Sequence, residues 1–408
     1  MLTVAAARAI IVEAAGLLPA PTIEAASVEH ALHRVLARDV AAPRAVPGFA
    51  CSAMDGYALR RVDLTTTGSI LREDGATLAG ATAIEPLAPN ACRRITTGAP
   101  LPDGADTVVM HEQTRRIDES DVPVRIEFKV EPQLGANVRS ASDDFASGHR
   151  ALLSGTRLDA VAIATAVTLG FDKLQVRSAP SVAIITTGDE LLPAGAPWQH
   201  GLRYDSNGIL LAGLLADHGI RDVIRSHVRD DQDALRDALR EAASAQRLII
   251  VTGGVSAGEA DYLPRLCTEL GTVLFWKLRF RPGMPALFAR IGESLVFGLP
   301  GNPVSVLATF VALVRPMLAR WMDCAALDPA PTVARLTHSV GKRHDRLEWR
   351  RGNVHIDAEG TARVTLHPSL SSGALRSLVE SNALVELAAE RSEFGVDALV
   401  PVRRWTFA

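Results

Sequence analysis

The sequence predicts a multidomain protein of α/β and β structure, arranged around a central, doubly wound α/β domain. Its 408 residues exceed the roughly 300 at which a single core stops growing. Strand-like and helical segments alternate between residues 181 and 321, which is typical of a mostly parallel sheet covered on both faces. On either side of that stretch, short β-type runs separated by Gly, Pro and Asp predict further β-rich domains.

The alternating stretch divides by segment length and apolar spacing. The predicted strands are 182–186, 222–227, 248–252, 273–280 and 295–297, and the predicted helices are 209–218, 233–243, 262–270 and 304–321. Ligands of such a sheet bind beyond the carboxyl ends of its strands. We therefore expect functional residues in the loops that follow these strands.

The regions outside this stretch predict three further parts of the chain. Helical spacing predicts a helix over 3–15 and a helical unit continuing over 28–40, and an Ala-rich helix is expected over 159–171. A β-rich insertion would then separate two pieces of one helical domain. The predicted domains are 1–46 with 139–178 (discontinuous helical linker and dimerisation domain), 47–138 (inserted β-rich domain), 179–326 (α/β domain) and 327–408 (C-terminal small β domain).

Charge and apolar composition argue against several classes of partner. Lys and Arg number 43 against 46 Asp and Glu, so no global basic field exists for nucleic acid or an anionic membrane. The longest apolar run, 160–171, is shorter than the roughly 20 residues that span a bilayer. Charges at Arg8 and Glu13 do not suit a secretory signal, and four scattered cysteines fit unpaired thiols in a reduced compartment. We expect a cytoplasmic protein.

A glycine-rich loop at 252–261 joins an apolar strand to a helix. Gly253 and Gly254 allow close backbone approach and Ser256 adds a hydroxyl donor, which together favour a phosphate site. A tight connection alone would explain such a loop about equally often. The acids Glu259 and Asp261 favour the functional interpretation.

Three cations, Lys277, Arg279 and Arg281, recur at the two-residue period of a strand. This spacing predicts that they share one face. Like charges repel, so the arrangement suits a neighbouring anion or carboxylates. A solvated face whose long side chains cover apolar surface is the alternative.

Carboxylates occupy many predicted loops, several of them after strands of the α/β domain. They are Asp55, Asp144, Glu190, Asp205, Asp230, Asp231, Glu259 and Asp261. A hard cation such as Mg²⁺ takes one or two such oxygens and shares its other positions with phosphate and water. Each acid alone is more simply a helix cap or turn residue, so the metal hypothesis depends on their recurrence.

A turn at 299–305 also follows a predicted strand and enters a long helix. Pro300 and Pro303 frame it, and Pro303 suits the first turn of a helix. A rigid helix entrance is the simplest interpretation. The same entrance would also direct N–H groups and Ser305 towards the crevice at the strand ends.

Five motifs in order, taken together, resemble the molybdopterin molybdenumtransferases, the family that includes MoeA and the gephyrin E domain. They are Ser-Ala-Met-Asp-Gly-Tyr-Ala (52–58), Thr-Gly-Ala-Pro (97–100), Thr-Thr-Gly-Asp-Glu-Leu (186–191), Gly-Gly-Val-Ser-Ala-Gly-Glu-Ala-Asp-Tyr (253–262) and Gly-Leu-Pro-Gly-Asn-Pro-Val-Ser (298–305). The resemblance runs from about residue 3 to the C-terminus. It implies an elongated, four-domain subunit that forms a homodimer, with 179–326 as a molybdopterin-binding domain.

The resemblance also implies a reaction and a set of residues. Adenylylated molybdopterin would bind, molybdate would join its dithiolene, and AMP would leave, with Mg²⁺ or a similar divalent ion as cofactor. The implied catalytic residues are Asp55, Thr97, Asp144, Glu190, Asp230, Asp261 and Lys277, with Glu190 and Asp261 as metal ligands. The implied molybdate-binding residues are Arg281, Pro285, Ser305, Arg351 and Ser372.

The substrate-binding set combines the motif residues with the loop residues found above. It comprises Gly253, Gly254, Ser256, Asp205, Arg279, Pro300 and Pro303. Transient contact with other proteins of molybdenum-cofactor biosynthesis is also expected. Three departures from the family pattern bear on the site: Arg281 and Met284 stand where the family commonly has Lys, of which only Arg281 keeps the charge, and Ala50 and Cys51 replace its usual Asp-Asn.

Two other functions remain open at this point. A molybdopterin adenylyltransferase uses a very similar α/β domain, although the additional domains argue against it. A gephyrin-like scaffold would keep the site for folding alone.

Overall fold

A computed structural model describes residues 1–118, 123–255 and 262–406. Its helices are α1 Val4–Gly16, α2 Ala160–Thr168, α3 Asn207–Ala216, α4 Gln232–Ala245, α5 Leu263–Leu270, α6 Pro303–Thr309, α7 Arg315–Trp321 and α8 Arg376–Val379. The first strands are β1 Ile23–Ser27, β2 Val40–Ala41, β3 Cys51–Ser52, β4 Gly56–Leu59, β5 Ile70–Thr77, β6 Ala91–Ile95, β7 Thr107–Met110, β8 Thr114–Ile117, β9 Arg125–Phe128, β10 Val138–Arg139, β11 Arg150–Leu152 and β12 Lys173–Arg177.

The remaining strands belong to the second half of the chain. They are β13 Val182–Thr187, β14 Leu191–Leu192, β15 Arg203–Tyr204, β16 Val223–Val228, β17 Leu248–Thr252, β18 Thr272–Trp276, β19 Phe280–Arg281, β20 Leu287–Ile291, β21 Ser294–Leu299, β22 Thr332–Leu336, β23 Val340–Gly341, β24 Leu347–Ile356, β25 Ala362–Leu366, β26 Ala383–Leu387, β27 Glu393–Phe394 and β28 Leu399–Arg403.

The chain divides into two compact units. The first comprises Met1–Arg38, Ser154–Ile163 and Asp172–Ala408, and the second comprises Asp39–Leu153 and Ala164–Phe171. Within the first unit, β1 pairs antiparallel with β12, so the N-terminal segment and the segment after Phe171 belong to one sheet. Division of the chain into four domains stays a prediction.

The first unit contains the predicted α/β sheet, in the order β16-β13-β17-β21-β20-β18. The strands β16, β13, β17 and β21 are parallel, and β20 and β18 are antiparallel to their neighbours. The predicted doubly wound, mostly parallel sheet is confirmed. The sequence analysis missed β20, which forms a hairpin with β21 through Gly292.

Both faces of this sheet are covered by apolar side chains, as the fold class requires. In β13, Val182 and Ile184 pack with α1, α3 and the α6–α7 helix, whereas Ala183 and Ile185 pack with α4 and α5. Alternation within a single strand thus supplies two cores. The strand is consequently apolar at every position except its last two threonines.

A continuous helix from Pro303 to Trp321 runs through the first of these cores. A π-helical segment, Phe310–Val314, joins α6 to α7 just before Pro316, whose missing N–H cannot bond to the Ala312 carbonyl. Arg8 Nη1 donates to that carbonyl instead, at 3.3 Å. The helix is long and apolar enough to cross a membrane, but 83% of it is buried within the protein, as expected of a core helix.

Two predictions for the first unit are wrong. Residues 28–40 do not continue the helical unit: a single 3₁₀ turn, Val28–His30, is followed by left-handed backbone at His33 and bridges from Val35 and Leu36 to 157 and 176. The predicted strand 273–280 is interrupted, since β18 ends at Trp276 and Lys277 has φ of 70°.

The C-terminal β sheet of the first unit has the order β19-β24-β25-β22-β28-β26 and encloses a separate apolar core. Its edge strand β19 comes from the α/β stretch and pairs in parallel with the start of β24. This pairing places Arg281 opposite Glu348. Residues far apart in sequence are thereby brought to one edge.

The second unit contains residues 47–138, which were predicted to be β-rich. A sheet of order β7-β4-β6-β5-β9-β8 forms its centre, and β3 pairs with β10 beside it. Gly56 at the start of β4 lies against the backbone of β7, since a Cβ there would come within 2.0 Å of the Val109 oxygen. Glycine at this position of the Ser-Ala-Met-Asp-Gly motif is therefore required for strand pairing.

Candidate functional site

The carboxyl ends of three neighbouring strands, β13, β17 and β21, lie close together. Gly253, just after β17, has φ of 90°, and a Cβ there would lie 2.5 Å from Thr187 Oγ1 at the end of β13. The same strand end approaches Gly301, which follows β21. Glycine at position 253 therefore allows these strand ends to pack closely, and binding of a phosphate by the glycine-rich loop stays a prediction.

Asp205 holds the backbone together at this edge. Its Oδ2 accepts from Thr186 Oγ1 at 2.9 Å, and its Oδ1 accepts from the N–H groups of Asn207 and Gly208 at 3.1 Å each. Asn207 in turn donates to the Gly301 carbonyl at 2.7 Å. These contacts support a positioning role at the start of α3, and the predicted substrate contact stays a prediction.

Two acids at the ends of β13 and β16 bind each other's backbone. The Asp189 N–H donates to Asp230 Oδ2 and the Asp230 N–H donates to Asp189 Oδ1, both at 3.3 Å. Both acids line a cleft of ≈ 570 Å³ together with Asp231, which caps α4. We name this cleft, with Asp189, Asp230 and Asp231, the acidic edge.

Glu190 and Lys277 lie near the strand ends but outside the walls of the acidic edge. Glu190 is exposed and its carboxylate lies over Gly188, where a Cβ would meet Oε2 at 2.4 Å. Lys277 Nζ lies 4.2 Å above the Trp276 ring, and the Trp276 indole N–H donates to the Val255 carbonyl at 3.0 Å. Lys277 is thereby placed near Val255, the last residue of the glycine-rich loop that the structure describes.

Two predicted site residues, Ser256 and Asp261, lie outside the described residues. Among the parts of the chain that the structure does describe, no group of three or more His, Cys, Asp or Glu is placed to hold a metal ion. The paired metal ligands Glu190 and Asp261 stay a prediction.

A second cavity, of ≈ 280 Å³, lies where β19, β24 and the start of α6 meet. All five residues predicted to bind molybdate line it, and so does Pro300; the five are Arg281, Pro285, Ser305, Arg351 and Ser372. We name it the basic cavity. Ser372 is held in place because its Oγ accepts from Asn302 Nδ2 at 3.0 Å and its carbonyl accepts from the Val304 N–H at 3.1 Å.

Arg351 is fixed at the base of this cavity. The residue is 3% exposed; Nε donates to Ser377 Oγ at 2.9 Å, and Nη2 donates to the carbonyls of Ser369 and Ser371. Burial lowers the pKa of Arg351, although the neighbouring Glu348 raises it. A guanidinium rests there in fixed orientation, which is a suitable arrangement for a tetrahedral oxyanion.

Glu348 is the counter-charge of the cavity. Its carboxylate is 3% exposed and lies 3.1 Å from Arg350, 3.4 Å from His344 and 3.7 Å from Arg281. Burial lowers the pKa of His344 despite this acid, and a neutral His344 adds no charge. The sequence analysis missed Glu348, although it lies between the cations Arg346 and Arg350 at the two-residue period of a strand.

Arg346 is a further cation that the sequence analysis missed. It lines the basic cavity, and its Nη1 lies 3.5 Å from the sulfur of Met284. Met284 is the position at which the family commonly has Lys. A cation from the segment just before β24 therefore lies beside the position at which that lysine is missing.

The expectation that Lys277, Arg279 and Arg281 share one face is wrong. The left-handed backbone at Lys277 ends the alternation of β18, so the three side chains diverge. Arg279 pairs with Asp345 at 2.8 Å and lines a different cleft, together with Thr3. Arg281 alone of the three lines the basic cavity.

The second unit contains the remaining predicted acids. Asp55 Oδ1 accepts from the Thr97 N–H at 2.6 Å and from Thr97 Oγ1 at 2.8 Å, and these bonds lower the pKa of Asp55. Asp144 pairs with Arg139 at 3.0 Å. Arg139 lies opposite Cys51 in the β3–β10 pair, and Cys51 is a buried, free thiol.

The whole chain is similar to proteins of one family. Residues 2–170 match the MoeA N-terminal region (domain I and II), residues 183–320 match a probable molybdopterin binding domain, and residues 333–404 match the MoeA C-terminal region (domain IV). Proteins named molybdopterin molybdenumtransferase are 32% identical in Haemophilus influenzae, over 98% of both chains, and 32% identical in Bacillus subtilis, over 88% of this chain and 85% of that one.

A solved structure agrees with the sequence relatives. The molybdopterin biosynthesis moeA protein from Pyrococcus horikoshii OT3 has 25% sequence identity and superposes with a TM-score of 0.79, covering 98% of this chain and 99% of that one. The predicted resemblance and fold class are confirmed. The chain belongs to the molybdopterin molybdenumtransferase family.

Proposed function

We propose that the chain transfers molybdenum from molybdate to molybdopterin in molybdenum-cofactor biosynthesis, with adenylylated molybdopterin as the substrate and AMP as a product. The basic cavity is the observation that carries this proposal. It joins cationic side chains with the hydroxyls of Ser305 and Ser372 in a space of ≈ 280 Å³. A tetrahedral dianion suits such a combination of fixed charge and hydroxyl donors.

In this proposal, the basic cavity holds molybdate while the two thiol sulfurs of the pterin bind molybdenum, and one molybdate oxygen leaves with the two thiol protons as water. Arg351 orients the anion, since its own hydrogen bonds to Ser377 and two carbonyls fix the guanidinium before a ligand binds. Arg281 and Arg346 balance its charge. Glu348 limits the excess positive charge, so that the anion can also be released.

The strand ends bind the phosphate-bearing part of the substrate. Gly253 and Gly254 allow close approach of the backbone, and Lys277 lies beside the same loop. A divalent cation fits the chemistry of the two acids predicted to hold it, Glu190 and Asp261, because carboxylates are hard oxygen donors. When bound, such an ion supplies charge neutralisation at the pyrophosphate link, whose cleavage releases AMP.

Molybdate-dependent AMP release tests this function. Purified protein is given adenylylated molybdopterin, with and without molybdate, and AMP is quantified by chromatography. Release that requires molybdate supports transfer, whereas consumption of ATP on unadenylylated molybdopterin would support the adenylyltransferase alternative. If folded protein turns over neither substrate, the scaffold hypothesis is the one that remains.

A matched pair of variants tests the basic cavity within the same assay. Arg281→Gln removes a cation whose side chain is 40% exposed and lines the cavity, so we expect the KM for molybdate to rise about tenfold, as for loss of about 1.4 kcal/mol. Arg290→Gln removes a cation on β20 whose side chain has a similar exposure, 42%, and which pairs with Glu293. Equal KM values in the two variants would contradict the assignment.

We also propose a homodimer in the cytoplasm that contacts other proteins of the pathway transiently. Family membership and the complete match to relatives along the chain support these points. Sedimentation equilibrium measures the subunit number directly. A monomer at micromolar concentration would contradict the dimer.

A further inference from the structure

One segment of the chain, residues 367–377, supplies the hydrogen-bond acceptors of Arg351. It begins directly after β25, where the His367 N–H donates to the Arg351 carbonyl at 2.9 Å. Two carbonyls and one hydroxyl of its serines accept from the Arg351 guanidinium. Within the described residues, every hydrogen bond of that guanidinium goes to this segment. We name residues 367–377 the clamp segment.

The clamp segment also forms part of the wall of the basic cavity. Leu370 and Ser372 line the cavity, and Ser372 is bonded to the turn that enters α6. The conformation of one segment therefore sets both the orientation of a buried cation and the position of a hydroxyl donor. A displaced clamp segment would disturb two predicted contacts of the oxyanion together.

His367 fixes the start of the clamp segment through both ring nitrogens. Its Nδ1 accepts from the Ser369 N–H at 3.0 Å, and its Nε2 lies 2.9 Å from Glu380 Oε2. A backbone N–H can only donate and an ionised carboxylate can only accept, so these contacts assign the neutral tautomer with its proton on Nε2. The His367 side chain is 14% exposed, so water has little access to either bond.

Glu380 ties this histidine to the far end of the clamp segment. Arg376, the first residue of α8, donates through Nε to Glu380 Oε1. The hydrogen bonds from His367 and Arg376 lower the pKa of Glu380, so its carboxylate is ionised and remains an acceptor at neutral pH. The imidazole therefore links Ser369, near the start of the clamp segment, to Glu380, just beyond its end.

The contact with Ser369 is the one that connects His367 to the basic cavity. His367 holds the N–H of Ser369, and the carbonyl of Ser369 accepts from Arg351 Nη2. The same residue thus carries the bond that fixes it and a bond that orients the guanidinium. His367 is not among the described residues that line the basic cavity, so its effect on an oxyanion would pass through Arg351 and Ser372.

We propose that His367 is a positioning residue of the basic cavity, which holds the clamp segment in the conformation that presents Arg351 and Ser372 to a tetrahedral oxyanion. The proposal rests on the proposed function, in which that oxyanion is molybdate. Without an acceptor on residue 367, the Ser369 N–H would turn to water, and the clamp segment would hold Arg351 in more than one orientation. Binding of the anion would then include the entropy cost of ordering the segment.

Two variants separate the contacts of the imidazole. His367→Asn keeps an acceptor, because its Oδ1 takes the position of Nδ1, whereas His367→Gln keeps a donor at the position of Nε2 but offers no acceptor to Ser369. We expect His367→Gln to raise the KM for molybdate about fivefold, as for loss of one neutral hydrogen bond, with kcat within about twofold of wild type. His367→Asn should stay within about twofold of wild type in both constants. AMP release at varied molybdate measures these values.

Deuterium exchange of the peptide that contains the clamp segment is a readout that needs no turnover. We expect faster exchange in His367→Gln than in His367→Asn, with the exposed His355→Gln on β24 matching wild type. Equal exchange in the two His367 variants, or equal KM values for His367→Gln and His355→Gln, would overturn the positioning role. A wild type that releases AMP without molybdate would contradict the proposed function instead, and the exchange result would still decide the role of His367.

Discussion

The acidic edge and the basic cavity lie in the same unit and differ in how their charges are held. At the acidic edge, Asp189 and Asp230 are exposed and bound to each other's backbone N–H groups at 3.3 Å. In the basic cavity, Arg351 and Glu348 are each 3% exposed and enclosed by short contacts. The exposed acids can change partners at little cost, whereas the buried cation is oriented before any ligand arrives.

This difference suggests two kinds of task. Exposed carboxylates suit an exchangeable cation that arrives with a phosphate. A buried guanidinium that hydrogen bonds at Nε and Nη2 hold in place suits repeated recognition of a single anion shape. Variants of the two regions should therefore have different defects. Variants of the acidic edge should change the dependence of activity on the cation, and variants of the basic cavity should change its dependence on molybdate.

Loss of Arg351 should have the largest effect. Arg351→Gln removes a fixed charge, and we expect kcat/KM for molybdate to fall roughly 10- to 150-fold, as for about 1.5–3 kcal/mol per charge-assisted contact. Steady-state AMP release at varied molybdate measures it. Ser377→Ala is the control, since it removes the 2.9 Å bond to Nε but keeps the charge. An effect of Ser377→Ala as large as that of Arg351→Gln would mean that orientation, not charge, dominates.

The acidic edge should show a different dependence. Asp230→Asn keeps the size of the side chain but removes its charge, so the Mg²⁺ concentration for half-maximal AMP release should rise about tenfold. The KM for molybdate should stay within twofold of wild type, on the order of experimental error. Asp233→Asn, in the first turn of α4 and with its side chain 84% exposed, is the control. A change in molybdate KM without a change in Mg²⁺ dependence would remove the distinction between the two regions.

The α/β core could be predicted because its strands are apolar and short and its helices have helical spacing. Strand β17 was predicted at its observed bounds, Leu248–Thr252, and helix α4 within two residues at each end. Local backbone reversals were not predictable. Nothing in the sequence around Lys277 indicates φ of 70°, since left-handed backbone is uncommon for residues other than Gly, Asn and Asp.

The basic cavity could be predicted only through the family resemblance. It depends on the parallel pairing of β19 with β24, which joins Arg281 to a strand that begins at Leu347. Periodicity describes the faces of one segment and carries no information about such long-range pairs. For the same reason Arg346, which lies in none of the quoted motifs, was not identified.

The missing family lysine at Met284 offers a finer test of the cavity. Because Arg346 lies 3.5 Å from the Met284 sulfur, Met284→Lys should change the KM for molybdate little. Arg346→Met, at a half-buried position, should raise it about fivefold, as for about 1 kcal/mol. The double variant should return to near the wild-type value, because the charge has only moved. A large gain in Met284→Lys alone would show that Arg346 does not compensate.

The smallest expected effect is that of pH on stability. It depends on protonation of His344, which contacts Glu348 of the basic cavity. The pKa of His344 lies below its ordinary value of 6.5, mainly because of burial, so the unfolded chain binds more protons than the folded one just below that pH. The free energy of unfolding therefore falls as pH drops from 6.5 through the lowered pKa. His344→Gln should lose less of this free energy than wild type over the same pH range. Urea unfolding at a series of pH values measures this, with the exposed His355→Gln on β24 as control. Parallel pH profiles for wild type and His344→Gln would show that protonation of His344 does not destabilise the folded protein. The basic cavity would then differ from the acidic edge only in the sign of its charge.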